Sequence, residues 1–165
     1  MLLSNDILIP EVARLVSEGK TVTLPLRGYS MRPYLEDGRD KGLLTKVTEP
    51  LKVGDVILAR IDGDGNGNCR YALHRIVRIE GDEITMYGDG NYSPEHIKES
   101  DVLAIAKGFY RKGSDRLDSV DSLPYSIYWR TWVWLRPMRR YLLLIWRMWH
   151  YPKETTKKIK QRICK

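Results

Sequence analysis

The period of apolar and polar positions changes twice along the chain. Over residues 5–19, Ile9, Val12, Leu15 and Val16 recur at helical spacing, which predicts an amphipathic helix. Asn5 or Asp6 can cap it, Gly19 can stop it, and Pro10 is tolerated only near its start. From residue 20 to about 112, short runs rich in β-branched and aromatic residues follow, at 21–26, 42–47, 55–61, 71–79, 83–87 and 101–110. Turn formers separate them: Glu36-Asp-Gly, Val53-Gly-Asp, the 62–68 run, Glu80-Gly-Asp and Gly88-Asp-Gly-Asn. Five or six short strands at this spacing predict a mainly β, mostly antiparallel fold, a barrel or coiled sheet. Residues 113–125, rich in Ser and Asp, read as a linker. The pattern turns helical again over 126–165, with a Trp- and Arg-rich stretch and then a Lys-rich tail.

Charge follows the same division. The chain carries 28 Lys and Arg against 21 Asp and Glu, a net of +7. Residues 126–165 hold 11 basic residues and one acid, Glu154, so they are net +10, and residues 1–125 are net −3. On a helical wheel Arg136, Arg139, Arg140 and Arg147 share one arc, with Met138, Tyr141, Leu142, Ile145, Met148 and Trp149 opposite. A helix of this kind is expected to lie in the interface of an anionic membrane, through Trp132, Trp134, Arg136, Arg140, Trp146 and Trp149. Nucleic acid is disfavoured, because the β region is not basic.

Four arginines make a membrane span costly, and no uncharged apolar run reaches about 18 residues. The N-terminus lacks the basic and apolar regions of a secretory signal. The expected location is the cytoplasm or the periphery of the cytoplasmic membrane. Cys69 and Cys164 form no CxxC or zinc spacing, so neither a metal nor a cofactor is expected. The 62–68 run resembles a calcium loop, but Leu73 stands where a bidentate Glu is required, so a hairpin loop is expected.

The candidate chemistry centres on Arg27-Gly-Tyr-Ser-Met-Arg-Pro-Tyr-Leu. Ser30, between Gly28 and Pro33, suits a tight turn after a strand that exposes a hydroxyl and leaves backbone N–H groups to hold an oxyanion. Serine is a weak nucleophile and needs a base within reach. His74 is best placed, in mid-strand and, by alternation, on the face of Ala72 and Ile76. Asp89 and Glu95, at the end of the next hairpin, are the acids that can orient it.

Gly28-Tyr-Ser30-Met31-Arg-Pro33, Val53-Gly-Asp55-Val, His74-Arg75-Ile-Val and Gly88-Asp89-Gly-Asn91, in this order, resemble the boxes of the signal peptidase I / LexA-like serine peptidase superfamily. The likeness covers roughly residues 20–112. His74 stands where many members have Lys, so the sequence is similar to the His-containing, endoplasmic-reticulum-type signal peptidases. The resemblance implies a LexA/signal-peptidase-like coiled antiparallel β barrel. It also implies a Ser30–His74–acid site and an oxyanion hole of backbone N–H groups at Ser30 and Gly28, with Met31 and Pro33 against the substrate. That branch has an Asp about six residues after its Gly-Asp acid. Glu95 stands there, so Glu95 is the carry-over and Asp89 its rival. The membrane anchor usual before the serine box, and the DNA-binding domain of repressors, have no counterpart in the 29 residues before Ser30.

The expectation is a serine endopeptidase that processes a leader- or signal-like peptide. The alternative is an inactive β binding module of the same fold, docked to a membrane or protein by its tail.

Overall fold

The computed structural model describes residues 5–61, 69–138, 141–145 and 148, of which residues 5, 6 and 136 are described by backbone alone. Two compact units divide the chain, Met1–Arg130 and Thr131–Lys165.

In the first unit, helix α1 (Asn5–Ser17) buries Ile9, Val12 and Val16, the stripe expected from its period. Leu15 is only half-buried. Eight strands follow among the described residues: β1 (Val22–Pro25), β2 (Lys41–Thr45), β3 (Val56–Ile61), β4 (Arg70–Glu80), β5 (Glu83–Tyr87), β6 (Glu95–Lys98), β7 (Val102–Tyr110) and β8 (Leu117–Ser119). All pairings are antiparallel, in the order β1-β2-β7-β3-β4-β5-β6, with β8 on the part of β7 that β3 leaves open. The sheet curls into a half-barrel. Bulges at Leu43/Leu44, Leu58/Ala59 and Ile76/Arg78 each add local twist.

Alternation along β3 builds two cores. Val56 and Leu58 join α1, Leu24, Phe109 and Tyr125 in one cluster. Ile57 and Ala59 join Ile76, Ile84, Met86 and Ile97 in the other. β3 is therefore buried on both faces over residues 56–59, which explains the apolar run Val56-Ile-Leu-Ala.

The linker expected at 113–125 requires correction. It contains β8, and helix α2 (Leu123–Trp134) begins within it. The reason is packing: Tyr125 is buried in the first cluster, and Tyr128 and Trp129 lie against it. Pro124 stands at the second position of α2, where a missing N–H costs nothing.

The second unit contains the end of α2, a 3₁₀ turn at Arg136–Met138, and helical backbone over 141–145. Trp134, Met138, Tyr141, Leu144, Ile145 and Met148 are exposed, and Trp132 is half-buried. Arg140, Trp146 and Trp149, expected at a membrane surface, lie outside the described residues, as does the 62–68 loop. Among the described residues no helix is long and apolar enough to cross a membrane.

Candidate active site

Ser30 lies on the turn that follows β1. Two backbone bonds close the base of this loop, Leu26 N–H to Asp40 O and Gly38 N–H to Leu26 O, each 2.9 Å. The buried Asp40 carboxylate fastens it further, accepting the Glu36 and Lys112 N–H groups at 2.9 Å and the Arg39 guanidinium. Burial alone would raise the Asp40 carboxyl, but these donors and the Arg39 charge hold it below its ordinary value. Leu35 N–H reaches Met31 O at 3.1 Å, so 31–35 winds as a helical turn.

That turn sorts the side chains. Met31 and Leu35, four residues apart, both line a cleft of about 230 Å³. Pro33, expected against the substrate, is not among the residues that line it. The middle of the turn faces away from its two ends. Met31 also belongs to the first core cluster, so it is as much an anchor as a wall.

His74 and Arg75 are neighbours on β4 and serve opposite faces. His74 stands opposite Ile57 and shares its face with Ile76. Glu95 opens β6 two positions before Ile97, on this same face. His74 Nδ1 is hydrogen-bonded to Glu95 Oε2, and Arg70 Nη2 donates to Glu95 Oε1 at 2.6 Å. Burial would raise the Glu95 carboxyl. The hydrogen bond and charge of His74, with the charge of Arg70, outweigh it and hold Glu95 below the usual carboxylate value.

Arg75 takes the other acid. Its guanidinium forks onto Asp89, Nε to Oδ1 at 3.0 Å and Nη2 to Oδ2 at 2.7 Å. Its Nη1 donates to Gly54 O at 3.0 Å and to the Tyr125 hydroxyl at 2.9 Å. The Tyr128 hydroxyl donates to Asp89 Oδ2 at 3.0 Å. Arg75 and Asp89 are almost fully buried. Burial pushes the Tyr125 phenol up to about 12 and the Tyr128 phenol higher still. Of the two acids weighed for His74, Glu95 is thus the one the fold brings to its ring, and Asp89 is engaged by Arg75 and Tyr128.

Gly88 joins the halves of the site. A Cβ on Gly88 would lie 2.5 Å from Ser30 O and 2.9 Å from His74 Nε2, so no larger residue fits there. Gly90 N–H donates to Ser30 O at 2.7 Å. The Gly88-Asp-Gly-Asn segment therefore packs against both the serine loop and the imidazole. Among the described residues Ser30 Oγ makes no hydrogen bond to His74.

The backbone donors divide as well. The Gly28 N–H is occupied by Asp37 Oδ1 at 2.8 Å, which corrects its expected place in the oxyanion hole. The Ser30 N–H bonds to no described residue. Among the described residues no three His, Cys, Asp or Glu side chains gather as metal ligands would. Arg70 was not anticipated from the sequence, although alternation puts positions 70, 72 and 74 on one face. Tyr125 and Tyr128 also went unanticipated, although their spacing puts both on one side of α2. No protein-family model, curated protein or solved structure matches the chain.

Proposed function

We propose that this chain is a serine endopeptidase of the signal-peptidase/LexA type, its half-barrel being that fold. The observation that carries the reading is the His74–Glu95 hydrogen bond at Nδ1, with Nε2 at the Gly88 segment that also touches Ser30. A carboxylate holding Nδ1–H leaves the Nε2 lone pair free to accept a proton. Ser30 Oγ attacks the peptide carbonyl carbon as its proton passes to Nε2. The carbonyl oxygen becomes an oxyanion beside the Ser30 N–H. His74 then returns the proton to the leaving amine, and water, activated in the same way, releases the acid and restores Ser30.

The cleft suits an extended peptide. β5 pairs with β4 only from Arg75 onward, and residues 70–74 line the cleft wall. An extended chain can add to such a strand edge, with its alternate side chains toward Leu26, Met31, Leu35 and Leu73. The rival reading, an inactive binding module, draws on the missing Ser30–His74 bond. Catalytic hydrogen bonds commonly tighten only in the substrate complex, so we favour the enzyme.

A fluorophosphonate probe tests the reading without the natural substrate. Wild type should gain one adduct at Ser30, read by intact mass and peptide mapping. Ser30→Ala should gain none, and His74→Ala should react at least about 100-fold more slowly. Labelling of Ser30→Ala at the wild-type rate would sink the proposal.

A further inference from the structure

The buried Arg75–Asp89 pair is joined by two tyrosines of α2, one on each member. Arg75 and Asp89 satisfy each other through two hydrogen bonds. A third donor nevertheless reaches Asp89 from a distant part of the sequence, the Tyr128 hydroxyl. α2 is seated tightly: a Cβ on Gly54 would lie 2.7 Å from the Trp129 ring. Asp89 lies between Gly88, whose Cα leaves no room beside Ser30 O and His74 Nε2, and Gly90, whose N–H holds Ser30 O. A continuous path of contacts thus runs from α2 through one carboxylate to the Ser30 carbonyl and the His74 imidazole.

We infer that Tyr128 is a positioning residue for the site: its bond to Asp89 fixes the Gly88-Asp-Gly-Asn segment against Ser30 and His74. This rests on the peptidase reading for its consequence, but not for its geometry. The Arg75 fork restrains the carboxylate in one plane, and the phenol adds a donor from outside that fork. Without the phenol, Asp89 keeps its charge partner and the segment loses one anchor. The fold should survive while the alignment of Ser30 loosens.

Tyr128→Phe removes only the hydroxyl, and Tyr125→Phe is the control. Tyr125 lies in the same cluster but is bonded to Arg75, which also has Gly54 O. Two quantities are read: amide hydrogen exchange at Gly90, and the rate of fluorophosphonate labelling at Ser30. In Tyr128→Phe, Gly90 exchange should rise about tenfold and labelling fall about tenfold, with exchange at Leu58 in β3 unchanged. Tyr125→Phe should leave Gly90 within about twofold of wild type. The inference is overturned if Gly90 exchange in Tyr128→Phe matches wild type, if it rises only together with Leu58, or if labelling is unchanged. If wild type itself fails to label, the peptidase reading falls, and Gly90 exchange alone still decides whether Tyr128 holds the segment.

Discussion

At the scale of single residues the site turns on Glu95. Its two carboxylate oxygens are divided between His74 and Arg70, so it both orients the imidazole and offsets a cation. Its carboxyl is held below the ordinary Glu value of about 4.3. A group depressed in the folded state stabilises fully above its unfolded pKa, and that contribution is lost as pH falls through the folded value. Glu95→Gln should therefore flatten the acid limb of stability below about pH 5, seen as urea midpoints that fall less steeply with pH than wild type. At neutral pH the same variant should slow Ser30 labelling by about 100-fold or more, because an amide no longer fixes the Nδ1–H tautomer. Labelling at the wild-type rate would remove Glu95 from the mechanism. The sequence singled out Ser30 and His74 through their boxes, and it preferred Glu95 to Asp89 only through the family resemblance. Glu95 and Asp89 are only six residues apart: Glu95 opens β6 on the His74 face, whereas Asp89 lies in the turn after β5, where Arg75, on the opposite face of β4 from His74, takes it.

At the scale of elements the same alternation explains what was legible. Strands with several apolar residues stand out, as in Val56–Ile61 and Val102–Tyr110. β6 has one buried apolar residue, Ile97, among Glu, His and Lys, and β8 is Leu-Asp-Ser. These two owe their form to hydrogen bonding with β5 and β7 rather than to their own pattern. The start of α2 was hidden by a Ser- and Pro-bearing entry, and its buried face is tyrosine, which reads as surface or as membrane interface until its hydroxyls find partners. The seat of α2 yields a prediction of its own. Gly54 has φ +104°, and an added methyl would meet the Trp129 ring at 2.7–2.8 Å. Gly54→Ala should destabilise by roughly 2 kcal/mol, from backbone strain and overpacking together. Combining it with Trp129→Ala should cost less than the two changes summed, since the collision is then gone. A Gly54→Ala melting temperature equal to wild type would mean that α2 is not pressed on this turn.

At the scale of the whole molecule the uneven charge carries the remaining proposal, that the C-terminal region docks on an anionic membrane surface. Residues 126–165 are net +10, and Trp134, Met138, Tyr141, Ile145 and Met148 are exposed. Basic residues near such a surface are attracted by about 1 kcal/mol each, and apolar side chains add burial in the headgroup region. Removing everything from 126 onward is the wrong test, because it also removes Tyr128 and Trp129 from the first core cluster. A chain ending at Met138 keeps α2 and loses residues 139–165, which hold nine basic residues and one acid, eight of the ten net charges. That chain should melt near the wild-type temperature. It should bind vesicles of phosphatidylglycerol and phosphatidylcholine at least about tenfold more weakly than the full chain, in a sedimentation assay at low salt. Full-chain binding should also weaken steeply as salt shortens the range of attraction. Equal binding by both chains, or none by the full chain at low salt, would refute docking and leave the exposed aromatic and methionine side chains for a protein partner.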